Sequence, residues 1–308
     1  YFNFIFHQFN SEIIQKQIRV MMGATINQIT NKDLKSFIVP LPRERKEQDI
    51  ISTVLADMDN LIQATEQLIN KKQLIKTATM QNLLTGKIRL AEFDTKKTKP
   101  SELGEIPSDW FVVSLKTIGK TYNGLTGKTK ENFGIGNSFY VPFTNVMANV
   151  EIDQNQIEKV EVTEYQNIVL ENDILFNGSS ETPEEVCFSS FVGFKKANLY
   201  LNSFCFGFRV FDTKKICPKY IAYWFRSSIA RKTVSFMAQG STRYNISKSQ
   251  FLNLQIVLPQ IKEQIEIVKI LSDMDKEISE LNEHLTKLNN IKQGLMQKLL
   301  TGKIRLTE

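Results

Sequence analysis

The groups able to do chemistry in this sequence sit in short polar runs. Gly240-Ser241-Thr242-Arg243-Tyr244-Asn245-Ile246-Ser247-Lys248 joins a flexible glycine, hydroxyls, an amide, an aromatic ring and two cations. Such groups contact phosphates and base edges of duplex DNA. Gly124-Leu125-Thr126-Gly127-Lys128-Thr129-Lys130 and Asn177-Gly178-Ser179-Ser180 have the same character. Chemistry and expected loop position select Lys128, Lys130, Asn145, Asn177, Ser179, Arg243, Tyr244, Asn245 and Lys248 as candidates for base or phosphate contact.

Motifs for catalysis are missing. Gly124 to Thr129 places two residues between its glycines, where a phosphate loop needs four. Phe133-Gly134-Ile135-Gly136 lacks the strand-helix-strand context of a dinucleotide turn. No Asn-Pro-Pro-Tyr motif of a methyltransferase occurs. Cys187, Cys205 and Cys217 form no Cys-X-X-Cys pair, and with only His7 and His284 a zinc site is hard to assemble. The expectation is a chain without catalysis, metal or cofactor.

An internal repeat positions these runs. Leu83-Leu84-Thr85-Gly86-Lys87-Ile88-Arg89-Leu90 recurs unchanged as Leu299 to Leu306, at an offset of 216. Asp57-Met58-Asp59 and Lys46-Glu47-Gln48 return at the same offset, whereas Pro42, Ile29 and Gly23 match Pro259, Ile246 and Gly240 at 217. Arg243 thereby aligns with Ile26 and Tyr244 with Asn27, as base-reading positions would vary, while Ile246 and Ile29 read as structural. Each copy predicts a long helix bounded by the proline and a C-terminal glycine, Gly86 or Gly302. In the second, Leu271, Met274, Ile278, Leu281, Leu285, Leu288, Leu295 and Leu299 form a heptad seam with Lys292 at its one polar position. The first keeps Leu55, Met58, Ile62 and Ile69 but carries Thr65, Lys72, Lys76 and Thr79 in the seam. The two helices are expected to pair antiparallel; the alternative is a core pair inside one compact domain.

Between the repeats, residues 93–103 read as a polar linker and 104–260 as a domain. Trp110-Phe111-Val112-Val113, Phe139-Tyr140-Val141, Ile168-Val169-Leu170 and Leu201 to Phe211 read as strands, and Pro218 to Phe236 as helical. The fold class is therefore α+β: a mixed domain plus two long helices forming an antiparallel coiled coil. Charge is uneven within that domain. Glu151 to Glu185 holds ten acidic residues and one basic, and Lys195 to Lys248 holds eleven basic and one acidic. That distribution resembles a phosphate-tracking surface. No stretch approaches the roughly 20 apolar residues of a membrane span, and no secretory leader is evident, so a cytoplasmic location is expected. The opening Tyr1-Phe2-Asn3-Phe4-Ile5-Phe6 reads as the middle of a folded element and predicts polypeptide upstream.

The duplicated proline, Lys-Glu-Gln and long helix ending in Leu-Leu-Thr-Gly-Lys-Ile-Arg-Leu flank a domain introduced by Gly104-Glu105-Ile106-Pro107-Ser108-Asp109-Trp110. This pattern closely resembles the specificity subunits of type I restriction-modification systems, over nearly the whole chain. The resemblance implies that 1–42 is the tail of a first target recognition domain, 43–92 a central conserved helix, 104–260 a second recognition domain and 261–308 a distal conserved helix. It also implies a bipartite site on double-stranded DNA, of which this stretch would read one half. The helix pair would space the half-sites and dock methyltransferase subunits, which supply S-adenosylmethionine chemistry and adenine methylation; the restriction subunit would join through them. The contrasting reading is a coiled-coil structural or regulatory protein whose basic domain binds an acidic protein.

Overall fold

The computed structural model describes residues 2–22, 28–240 and 243–306. Gly23, Ile26, Asn27, Ser241 and Thr242, singled out from the repeat and the polar run, lie outside the described residues. The chain begins with helices α1 (Phe2–Phe9), α2 (Glu12–Met21), α3 (Asn31–Ser36) and the long α4 (Arg45–Leu83). Strands β1 (Thr98–Ser101), β2 (Gly104–Pro107) and β3 (Phe111–Ser114) follow, then α5 (Leu115–Ile118), β4 (Gly119–Asn123), β5 (Phe133–Val141) and α6 (Phe143–Ala148). Six further strands are β6 (Glu158–Val160), β7 (Ile174–Asn177), β8 (Ser179–Ser180), β9 (Ser189–Phe191), β10 (Leu199–Leu201) and β11 (Cys205–Val210). The remainder is α7 (Pro218–Phe225), α8 (Ser228–Met237), β12 (Tyr244–Asn245), α9 (Lys248–Asn253), β13 (Gln255–Leu258) and the long α10 (Ile261–Leu299). Two compact units result, Tyr1–Leu74 with Met274–Glu308, and Ile75–Asp273.

The first unit is helical, and its long helices run antiparallel. Ile51 and Leu55 of α4 pack with Leu299 and Leu300 and with the inner face of Leu295 and Met296. Farther along, Asp59 pairs with Lys292, and Lys72 with Glu277 at 2.6 Å. Increasing numbers on one helix thus meet decreasing numbers on the other. The heptad positions are the covered ones: Leu55, Ile62, Thr65, Ile69, Leu288 and Leu299 are all buried. Polar residues in the seam are accommodated individually. The Thr65 hydroxyl donates back to the Leu61 carbonyl at 2.8 Å, and Lys72 and Lys292 reach carboxylates on the opposite helix. Each such pair penalises a slipped register, the role polar seam residues play in coiled coils. Phe4 of α1 completes the apolar cluster, and the buried Gln8 amide donates to the carbonyls of Pro40 and Leu300.

The second unit mixes strands and short helices. An antiparallel sheet runs β4-β11-β7-β9, and β5 joins β10 in parallel and β6 antiparallel. Val141, Val146, Leu175, Leu199 and Leu201 fill one core. Phe176, Phe206, Phe208, Phe225 and Phe251 interlock as a second, mostly edge to face at 4.8–5.8 Å. Two local expectations shift. Residues 168–170 form no strand, because Val169 alone donates to the Leu199 carbonyl while Ile168 and Leu170 stay exposed. The helix expected from Pro218 to Phe236 breaks between α7 and α8, where the Ser227 side chain accepts from Ala230 N–H and starts a new helix.

The tails of the two repeats behave reciprocally. Arg89 of the first copy binds Glu263 of the second through two hydrogen bonds of 2.9 and 2.7 Å. Arg305 of the second copy binds Glu47 of the first at 3.0 and 2.7 Å. Arg89 also forks onto Asp109, and the Trp110 indole donates to Glu263 at 3.1 Å. Arg89 and Glu263 side chains are only 4% and 1% exposed. Removing one member of a buried pair strands the other, at a cost of about 3–5 kcal/mol. Arg89→Ala is therefore expected to lower the stability of the second unit by that amount in urea denaturation followed by the fluorescence of Trp110 and Trp224. Arg305→Ala leaves that signal in place.

Candidate nucleic-acid interface

A polar hairpin is clamped onto the second unit. Tyr244 pairs with Ser180 and Asn245 with Ser179 across β12 and β8, and Asn245 exchanges two backbone hydrogen bonds of 2.9 Å with Gln239. On its far side Ser247 caps α9, with Gln250 completing a reciprocal capping box. The hairpin borders a cleft of about 370 Å³ lined by Gly124, Thr126, Ser179, Phe204, Asn245 and Lys248 among others. Gly124 is required there, since a Cβ would collide with the Asn202 carbonyl. At the rim, the Arg243 guanidinium lies over the Phe204 ring, 5.3 Å from its centre. Phe204 is 54% exposed. A cation held on an exposed aromatic face stays charged and oriented while remaining open to solvent. Partial burial lowers the Lys248 ammonium pKa.

The nine residues selected from the sequence fall into three groups. Ser179, Arg243, Tyr244, Asn245 and Lys248 come together at this cleft and its rim. Lys130 is exposed in a short turn nearby in sequence. The other three are bonded within the fold. Lys128 binds Glu164 at 2.8 Å with its side chain only 6% exposed. Asn145 is buried, donating to the Asp153 carbonyl and accepting from Asn149 and the Asp153 N–H. Asn177, also buried, donates to the carbonyls of Ser179 and Glu185 and so shapes the turn under the hairpin. Phe204 was not among the candidates. Its signal was Asn202-Ser203, two turn formers inside an apolar run otherwise read as one strand.

Folding also redistributes the charge. Much of the basic block between Lys195 and Lys248 meets the acidic block before it: Arg209 binds Asp173 at 2.7 Å, Lys219 binds Glu151 at 2.6 Å and Lys195 binds Glu171 at 3.5 Å. Arg226 donates to the carbonyls of Ser189, Val146, Met147 and Asn149. Arg231 donates to those of Glu184 and Val186, and burial lowers its pKa to about 10. The block is thus not one continuous basic face. What it presents at the cleft is Arg243 and Lys248.

This architecture has known counterparts. Residues 1–72 and 107–293 match the family model described as the type I restriction modification DNA specificity domain. The chain belongs to that family. Similar members include the MjaVIII specificity subunit of Methanocaldococcus jannaschii, 27% identical over 92% of this chain and 66% of that protein. The EcoKI specificity subunit of Escherichia coli is 26% identical over 98% of this chain and 65% of its own length. The chain thus spans about two thirds of the curated relatives it matches. Among solved structures, the S subunit of a type I restriction-modification system from M. genitalium superposes with a TM-score of 0.60 at 17% identity, covering 96% of this chain and 72% of that one. A chain from a study of type I complex assembly and conformational transition gives 0.57 at 17% identity, covering 98% and 71%. At that identity the superpositions establish the fold, an α+β unit with long paired helices.

Within the specificity fold, the loop carrying Lys128 is tethered electrostatically. Lys128, with help from Gln166 and Thr163, holds the Glu164 carboxyl down at about 2. A carboxyl depressed on folding stabilises the fold above its ordinary value and stops doing so as pH falls through the depressed one. The tether should therefore persist from neutral pH through 4.5, the ordinary value, and open only near 2. A carboxyl-carbon NMR titration of Glu164 tests this: a midpoint near 4.5 in the native protein would contradict it, and Lys128→Ala should raise the midpoint toward that value.

Proposed function

We propose that this chain is a DNA sequence-recognition part of a type I restriction-modification complex, reading duplex DNA through the hairpin at 243–248 and directing methylation and cleavage carried out by partner subunits. The observation that carries the reading is the Arg243–Phe204 platform beside Asn245, Ser179 and Lys248. It combines a forked donor able to bond a guanine edge, an amide able to bond adenine, and a cation suited to phosphate. Lys130 extends the phosphate track. Asn177 supports the recognition turn from beneath, as Asn145 and Lys128 support their own loops.

The remaining assignments belong to the same proposal. Residues 1–42 and 104–260 act as recognition-domain elements, 43–92 and 261–308 as conserved helices, and 93–103 as the connection between them. The helix pair spaces the DNA-reading parts and docks methyltransferase subunits, through which the restriction subunit joins. The chain itself performs no reaction and works in the cytoplasm. Among the described residues, no helix is long and apolar enough to cross a membrane. The contrasting reading, a basic domain that binds an acidic protein, needs a broad basic face, and the pairing of Arg209 with Asp173 and of Lys219 with Glu151 interrupts the basic block.

Losing a bidentate base contact costs about 1–3 kcal/mol, or roughly 5- to 150-fold in affinity, and relaxes preference at one position of the site. Arg243→Ala is expected to do this in the assembled complex, measured by mobility shift on cognate and single-substituted duplexes across a salt series. Lys248→Ala should instead weaken all sequences alike and flatten the salt dependence by about one counterion. Unchanged affinity and preference in both variants would remove the hairpin from the interface.

A further inference from the structure

Residues 161–168 form neither helix nor strand, yet they are braced at several points. The buried Gln166 side chain reaches the backbone of Thr126: its amide nitrogen donates to the Thr126 carbonyl at 3.0 Å and its oxygen accepts the Thr126 N–H at 3.2 Å. The same nitrogen donates to Glu164 at 2.8 Å, and Glu164 also binds Lys128. Asn167 donates to the Asn123 carbonyl at 3.2 Å, and Arg209 to that of Ile168 at 2.9 Å. In the middle of this clamp Tyr165 is 93% exposed, and among the described residues no partner meets its hydroxyl. A tyrosine on a braced loop gives up little freedom when it binds, since only its own two torsions remain to be ordered.

The anchors of this loop belong to the cleft beside the hairpin at 243–248. Asn123 and Thr126 line the same space as Ser179, Asn245 and Lys248. Sheet order sets the distance between the two sides. β11 lies between β4 and β7, with Phe206 paired to Asn123 on one edge and Cys205 to Asn177 on the other. Two strand spacings, about 10 Å, therefore separate the Asn123 anchor from the turn under the hairpin. Base pairs stack about 3.4 Å apart, so groups standing on the two sides meet different base pairs of one duplex. Charge decides what the loop is suited to meet. Residues 161–168 carry Glu161 and Glu164 and no cation, and Lys128 is taken up by Glu164. A phosphate is repelled there, whereas a neutral hydroxyl can donate to the N7, O6 or O4 acceptors of base edges.

We propose that Tyr165 is a second sequence-reading side chain of this unit, addressing base edges from the β4 side of the cleft, and that Gln166 is the residue that positions it. The proposal rests on the reading of the cleft as a surface for duplex DNA, and extends that reading from the hairpin to both sides of the cleft. Neither residue stands out by composition, because an isolated Tyr-Gln-Asn run carries no cation. The signal is structural: an exposed ring on a loop that its neighbours hold still.

The probe is a duplex library with randomised positions, offered to the complex assembled from the full chain and its methyltransferase subunits and read by sequencing the shifted fraction. Tyr165→Ala is expected to lower enrichment of the selected sequences by roughly 2- to 10-fold, the worth of one net hydrogen bond, by flattening preference at positions other than those that Arg243→Ala flattens. Affinity for unselected duplexes and its salt dependence stay as they were, because no cation is lost. Gln166→Ala should flatten the same positions as Tyr165→Ala, and the double variant should do no more than either single one, a coincidence that a merely structural role for Gln166 does not produce. Unchanged preference in Tyr165→Ala, or an equal loss on every sequence, overturns the assignment of Tyr165 while leaving the recognition reading in place. An unaltered complex that selects no sequence sinks the recognition reading and this proposal with it.

Discussion

Each repeat's terminal arginine binds the glutamate that begins the other repeat's long helix, and the organisation of both units follows from that exchange. Arg89 meets Glu263, and Arg305 meets Glu47. A helix starting with a buried carboxylate has an obligatory partner, since an unpaired buried charge is costlier than any nearby packing gain. The glycine three residues before each arginine turns the chain back at a positive φ, +71° at Gly86 and +70° at Gly302, which is where a residue without Cβ is strain-free. Helix, glycine turn and arginine thus act as one unit, and its duplication explains why the repeat extends beyond the helices themselves.

That unit was legible because it is written in identical residues at a constant offset, and the helix pairing because a heptad seam names its own buried face. Leu55, Ile62 and Ile69 are buried where the pattern placed them. The polar seam positions were legible as departures but not as contacts: nothing in the order of residues told Lys72 to meet Glu277. The domain between the repeats was harder to read. Its strands are two to nine residues long and pair across distant stretches, so local patterning marked Phe139–Val141 correctly and misplaced a strand at 168–170. At the candidate site, the 243–248 run announced itself by composition, while Phe204 became significant only once Arg243 lay on it.

Charge illustrates the same limit most clearly. An acidic and a basic block adjacent in sequence suggest two opposed faces, but adjacency equally allows them to fold against each other. The second outcome prevails. Asp173 shows why: its carboxylate is 1% exposed and accepts two hydrogen bonds from Arg209 and one from the Tyr122 hydroxyl. A carboxylate buried that deeply requires an arginine, whose planar fork satisfies both oxygens at once. Arg226 and Arg231 are spent on backbone carbonyls that loops cannot satisfy themselves. A count of basic residues therefore overstates the surface left for phosphate.

What survives that accounting is small, and it sits on a lightly attached segment. The hairpin touches the rest of its unit through a two-residue strand pair, one backbone exchange with Gln239, the capped start of α9, the buried Ile246 side chain and the Arg243 guanidinium over Phe204. The strand pair and the exchange with Gln239 use backbone groups, and the Arg243 and Asn245 side chains reach only the exposed Phe204 ring and the Arg243 carbonyl. The buried residues beneath behave in the opposite way. Asn177 and Ser189 are fully enclosed and bonded to carbonyls of other segments, and replacing either leaves a buried carbonyl unsatisfied at about 1–3 kcal/mol. Exposed polar groups and enclosed supporting ones thus lie within one small part of the unit.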